Sequence, residues 1–229
     1  MSTKRLLLIA TVVLAATGTA WGGGVTAERS FWIGQWAHGP TGDDVFSTTV
    51  NFLNLSTTVS TITVRTFDND GDPLSLLRGI TPPFDAVNER TVILAGRGTG
   101  TLLSDSNETG LLIGYAQAST ANAVAVEVVF SLRDADGNVI TATNVRTPPL
   151  VTALSFLGRN NAGAKTGMAV LLPPGSDGPV DVDFTFYNSD GTIRATESLP
   201  LQVGQKVSRF LDELVSGLSN FTGSVEVRS

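Results

Sequence analysis

The sequence predicts an all-β protein of two tandem antiparallel β-sandwich domains, on three observations. Val180-Asp181-Val182-Asp183-Phe184-Thr185-Phe186 alternates apolar with polar residues, so an extended chain there has one dry face and one wet face. Thr61-Ile62-Thr63-Val64-Arg65 alternates in the same way. Asp-Gly turn signals recur at Asp70-Gly71, Asp136-Gly137 and Asp190-Gly191, each behind a strand-like run. The chain also repeats itself. At a constant offset of 120, residues 31–71 run alongside 151–191: Trp36 lies against Phe156, Val50 against Val170, Val64 against Phe184, and Phe67 against Tyr187.

From the start of the chain, the first element is a targeting segment rather than structure. Lys4 and Arg5 form a basic n-region, Leu6 to Ala16 an apolar stretch, and Gly18-Thr19-Ala20 the small residues that a signal peptidase reads. That stretch is too short for a bilayer span, which takes about 20 residues. Cleavage after Ala20 is expected. It leaves residues 21–29 as a flexible leader around Gly22-Gly23-Gly24, a first sandwich over 30–149 and a second over 150–229, joined at Thr147-Pro148-Pro149.

In the first domain a strand carries Trp32 and Trp36, with His38 in the loop behind it. Beyond the Asp70-Gly71 turn, extra residues around Arg78 to Glu89, including Pro82-Pro83, break the repeat. Gly96-Arg97-Gly98-Thr99-Gly100 reads as a tight connection, since no Lys-Ser/Thr follows to make a phosphate loop. The register then returns: Thr101 to Ser104 parallels Arg209 to Asp212, Asn107 to Gly110 parallels Asn220 to Gly223, and Gly110 to Ala116 matches Gly223 to Ser229.

Gln117 to Thr147 has no counterpart in the second copy. Within it Val124, Val126, Val128, Phe130 and Leu132 form an apolar face, Asp136-Gly137 a turn, and Val139 to Val145 a return strand. The second domain is thus expected to be an incomplete copy lacking a C-terminal hairpin, with an open edge. Its one helix is expected at about 208–215, capped by Ser208, with Phe210, Leu211 and Leu214 as its buried stripe and Gly217 at its end.

Composition narrows the chemistry. The 229 residues hold no Cys and one His, which excludes disulfides, thiol nucleophiles and His-rich metal centres. The net charge of −6 becomes −8 after cleavage (13 basic against 21 acidic residues), unsuited to nucleic acid. No cofactor is expected.

Asp68, Asp70 and Asp72 are the best calcium candidates, but Thr66 and Leu77 stand where an EF-hand needs its first and last ligands. The three Asp-Gly pairs read instead as hairpin turns of type I′. A triad would have to use His38, and no Gly-x-Ser-x-Gly elbow accompanies it. Trp21, Trp32 and Trp36 are candidates for stacking on sugar rings, with core packing as the alternative for Trp32 and Trp36. Asn54, Asn107 and Asn220 open Asn-x-Ser/Thr sequons that matter only in a eukaryotic secretory route.

Two motifs carry a resemblance. One is a strand entering a Phe/Tyr-Asp/Asn-x-Asp-Gly turn, at Phe67 to Gly71 and Tyr187 to Gly191. The other is Leu199-Pro200, Gly204-Gln205 and Arg209-Phe210-Leu211-Asp212-Glu213-Leu214. In these the chain resembles exported tandem immunoglobulin-like β-sandwich repeat proteins of environmental bacteria. The resemblance implies immunoglobulin-like domains outside the cell, supplies no catalytic residue, and implies a further strand pair beyond Val225-Glu226-Val227 that this sequence does not contain.

The function expected is a non-enzymatic surface, adhesion or matrix-interaction protein. It would be secreted, surface-bound or periplasmic, with no membrane span after cleavage and with protein or polysaccharide partners. It would assemble by β-strand addition to the open second domain. The alternative is a carbohydrate-binding module using the Trp cluster.

Overall fold

The computed structural model describes residues 6–11, 29–78, 86–105, 110–145, 151–161 and 164–229. Two compact units are present, one within Thr19–Pro149 and one made of Leu150–Ser229 with an N-terminal strand, β1 (Leu6–Thr11). Both are β-sandwich-like, as the alternation and turns predict. Trp21, Gly22–Gly24, Pro82-Pro83, Asn107 and the Thr147–Pro149 junction lie outside the described residues.

Domain 1 contains β2 (Arg29–Thr41), β3 (Asp44–Asn54), β4 (Ser60–Phe67), β5 (Leu77–Arg78), β6 (Glu89–Leu94), β7 (Thr99–Ser104), β8 (Leu112–Thr120), β9 (Val124–Arg133) and β10 (Val139–Val145). One layer runs β2-β8-β4-β6 and the other β10-β9-β3-β7-β5. β2 serves both, pairing with β8 over most of its length and closing a hairpin with β3 at Thr41↔Asp44. Its register against β8 slips between Ile33 and Trp36, so Gly34-Gln35 holds one extra residue. Such a bulge bends a strand from one layer toward the other, and Trp32 through Ala37 are all buried. β4 shows the simple case: Ser60, Ile62, Val64 and Thr66 are buried and alternate with wetter neighbours.

Domain 2 contains β11 (Ala153–Asn161), β12 (Ala164–Leu171), β13 (Val180–Asn188), β14 (Ile193–Leu201), β15 (Lys206–Phe210), α1 (Leu211–Leu214) and β16 (Phe221–Arg228). Its layers are β14-β13-β16-β11 and β15-β12-β1. Met168, Val170 and Leu172 pack with Val182, Phe184, Phe186, Val225 and Val227 in the core between them.

Five sequence expectations change. The three Asp-Gly turns are not type I′, because only the glycines have positive φ: 94° at Gly71, 84° at Gly137 and 84° at Gly191. Each is a three-residue loop closed by a bond to the glycine amide, Gly71 N to Asp68 O, Gly137 N to Asp134 O and Gly191 N to Asn188 O. That is a type I turn followed by a left-handed glycine. In the first two loops the opening side chain accepts amides further along the loop: Asp68 Oδ1 accepts from Asp70 N and Asp72 N, both at 2.9 Å. Asp134 Oδ1 does the same for Asp136 N and Asn138 N.

The helix is shorter than the 208–215 expected. Ser208 lies inside β15, paired with Ala169, and α1 spans only four residues. Its N-terminus is held by Glu213, whose carboxylate accepts the Phe210 N–H at 2.8 Å. His38 is not in a loop either; it sits within β2 opposite Leu112.

The last strands align differently from the sequence register. A Cβ at Gly114 would overlap the Phe67 carbonyl oxygen, and a Cβ at Gly223 would overlap that of Tyr187. Phe67 and Tyr187 are repeat equivalents, so Gly223 corresponds to Gly114, not to Gly110. β8 is then matched along its length by β16, and the surplus in domain 1 is the β9–β10 hairpin alone.

Finally, Leu6–Thr11, expected to take no part in the fold, forms a strand of domain 2.

Candidate functional site

The two copies share a hairpin: Thr41↔Asp44 in domain 1 and Asn161↔Ala164 in domain 2 sit at the same offset. This makes β12 the counterpart of β3. One edge of β3 is taken by β2 and then β7, and the corresponding edge of β12 by β11 and then β15. The other edge of β3 is covered by β9, antiparallel, from Val45↔Arg133 to Asn54↔Val124. On β12 that place is held by β1, parallel, from Leu6↔Ala164 to Thr11↔Ala169. The same edge is thus closed by a contiguous hairpin in one domain and by a sequence-remote segment in the other.

The β12 edge is not built to stand open. Sheet edges are normally defended by charges, Pro or bulges. β14, at the opposite border of the domain, carries Arg194, Glu197 and Pro200 and is mostly exposed. In β12 the one charge is Lys165, whose ammonium lies 2.6 Å from Asp212 Oδ2. That bond holds the Asp212 carboxyl below its ordinary range, against a smaller opposing effect of burial. From Thr166 to Leu172 every residue is buried, on both faces of the strand. Such burial belongs to an interior strand.

The His38 neighbourhood brings together more than the sequence suggested. His38 Nδ1 lies 3.5 Å from Ser104 Oγ, and His38 Nε2 lies 3.6 Å from Asp105 Oδ1. All three residue types of a hydrolytic triad are present. Their arrangement differs from one: Ser faces Nδ1 and Asp faces Nε2, both at long range. Ser104 is buried and its oxygen accepts the Thr48 N–H at 2.7 Å, which commits it to the β3–β7 contact. Burial lowers the His38 pKa, partly offset by Asp105. The group is a half-buried polar cluster that ties β2, β3 and β7 together. Sequence reading missed it because Ser104-Asp105 is 66 residues from His38 and carries no motif.

Trp32 and Trp36 are core residues. Trp32 is 7% exposed with its ring centroid 5.9 Å from that of Tyr115, and Trp36 is 0% exposed. Neither has a face for a sugar. The Trp36 indole N–H finds no acceptor among the described residues. Asp68, Asp70 and Asp72 form no metal-holding group, nor do any other three acidic or His side chains among the described residues. Asn54 is buried, its amide donating to Thr58 O and Ala95 O, so its sequon is inaccessible.

Two further features were not legible in sequence. Lys206, paired with Leu171, is 2% exposed, and burial pulls its pKa down to about 7. A polar cleft of about 410 Å³ is lined by Asn188, Ser189, Arg194, Ser219, Asn220, Phe221 and Thr222. Several of its groups already bond within the protein: Asn188 Nδ2 donates to Thr192 Oγ1 and Arg194 to Gly217 O.

No family model matches the chain, and no curated protein is detectably similar to it in sequence.

Proposed function

We propose that the protein is an exported, non-catalytic interaction module of two immunoglobulin-like β-sandwich domains, which acts outside the cytoplasm by accepting a β-strand at the β12 edge of domain 2. The incoming strand comes from a second copy of the chain, and the product is a surface or matrix assembly. One observation carries the reading: the edge that domain 1 closes with its own β9 is closed in domain 2 by a segment from the far end of the sequence. An edge whose one charge, Lys165, is drawn to Asp212 and whose two faces are buried from Thr166 onward needs a cover, and strand addition supplies one through main-chain bonds. Analytical ultracentrifugation of the processed chain, beginning at Trp21, tests this. Concentration-dependent association, lost when β12 is interrupted by Ala169→Pro, is the expected result; a strictly monomeric processed chain at high concentration refutes it.

The carbohydrate-binding alternative keeps only Trp21 of its three residues, because Trp32 and Trp36 are buried.

A further inference from the structure

We infer that Leu6–Thr11 has a second task besides export: it is a placeholder strand that occupies the β12 acceptor edge in the unprocessed chain and is removed with the leader. The inference rests on the exported, strand-accepting reading above and adds the identity, direction and extent of the occupant.

The residues of β1 and β12 define what the edge accepts. β1 reads Leu-Leu-Leu-Ile-Ala-Thr, six residues with no charge and no proline. It lies beside β12 from Ala164 to Ala169, where the residues are apolar or small apart from Lys165, opposite Leu7 and bonded to Asp212. The ligand class is therefore a short, uncharged, aliphatic strand. Its direction is parallel to β12, the reverse of β9 against β3. A contiguous hairpin cannot supply a parallel neighbour, since two adjacent parallel strands need a long crossover. A segment remote in sequence can.

β9 pairs with β3 through Asn54, and β1 is described against β12 as far as Ala169, the counterpart of Thr49. A placeholder must also be removable. The leader is suited to this because cleavage after Ala20 severs it from the chain. Binding in cis then becomes binding in trans, and the advantage of a tethered strand is lost.

Hydrogen exchange along Ala164–Leu171 tests the inference in two forms of the protein: the uncleaved chain from Met1 and the processed chain from Trp21, the latter at a dilution where it sediments as a monomer. Exchange along Ala164–Ala169 is expected to be at least tenfold slower in the uncleaved chain. A peptide of Leu6–Thr11 with flanking lysines should restore protection to the processed chain, and a peptide of Leu6–Val13 should extend it to Val170 and Leu171. Successive strand amides point to opposite edges. Of the Leu8→Pro and Ile9→Pro peptides, at least one must therefore lose a ladder donor and bind at least tenfold more weakly.

Equal protection of the two forms, with no response to either peptide, would overturn the inference. So would retention of residues 1–20 in the exported protein, read by N-terminal sequencing. A processed chain that takes the peptide but never self-associates keeps the placeholder and sinks only the self-assembly reading.

Discussion

The two domains share their hairpin offset and a glycine pressed against a carbonyl, and they part at one sheet edge and one buried pair. Both turn from β2 or β11 into the next strand at the same offset, and both press a glycine, Gly114 or Gly223, against the carbonyl of the aromatic residue before the first Asp-Gly turn. Where β9 covers β3, however, domain 2 has β1 on β12. Where Asn51 pairs with Thr101 and the two side chains bond at 2.9 Å, domain 2 sets Leu171 against Lys206. Backbone geometry at turns and close approaches is held between the copies, while what closes the sheet is not. This locates the structural divergence at the β12 edge and at the Leu171–Lys206 pair.

The largest effect expected from breaking that comparison is at Lys206. Its folded pKa of about 7 lies below its ordinary 10.5 because burial disfavours the charged form. Between those values the unfolded chain holds a proton that the folded one lacks, so stability rises with pH across that window. Below pH 7 the penalty is present in full, on the order of 4 kcal/mol. Lys206→Met should therefore stabilise domain 2 by about that much at pH 6, with the gain shrinking toward zero as pH approaches 10.5. Denaturant titrations of both proteins at several pH values measure it. A difference independent of pH would refute the assignment.

Next in size are Gly114→Ala and Gly223→Ala. In each the new methyl meets a backbone carbonyl, which cannot swing aside as a side chain can. Each should destabilise its own domain by ~3 kcal/mol, the upper end of overpacking costs. Trp32 and Trp36 are buried in domain 1 and domain 2 holds no Trp, so a fluorescence shift is expected for Gly114→Ala only. If Gly223→Ala is harmless while Gly114→Ala is not, the two glycines are not equivalents.

The repeat itself was readable because apolar phase and Asp-Gly turns survive divergence. The offset of 120 holds through Asn188 in the structure. Sequence register failed in the last strand because Asn107–Gly110 and Asn220–Gly223 look alike, whereas the true constraint is a glycine's close approach to a carbonyl, which leaves no local pattern. The expected helix is too long because Ser208 fits an N-cap, and Phe210 and Leu211 a helical stripe, as well as they fit the end of a strand; pairing of β15 with β12 decides it. Trp32 and Trp36 share parity in one strand, which left core packing and an exposed face both open; a bulge lies between them, and the whole stretch is buried. Absence of a hairpin partner for β12 was legible, but which strand would cover it was not, since pairing between remote segments is set by tertiary fit rather than by periodicity.

The smallest effect sharpens the comparison most. In domain 1 the turn carboxylate is the first loop residue: Asp68 accepts two amides, and removing it by Asp68→Ala should cost ~1 kcal/mol. In domain 2 that position is Asn188, and the acceptor has moved two residues on: Asp190 Oδ1 takes the Thr192 N–H at 3.0 Å and its hydroxyl at 2.6 Å. These two bonds hold the Asp190 carboxyl below its ordinary range, the hydroxyl contributing more. The mutational ranking should therefore invert between copies. Asp68→Ala should be worse than Asp70→Ala in domain 1, and Asp190→Ala worse than Asn188→Ala in domain 2, as read from the four thermal midpoints. Matching rankings would mean that the glycine at the end of the loop, with its positive φ, sets turn stability in both copies and that the migrating carboxylate contributes nothing measurable.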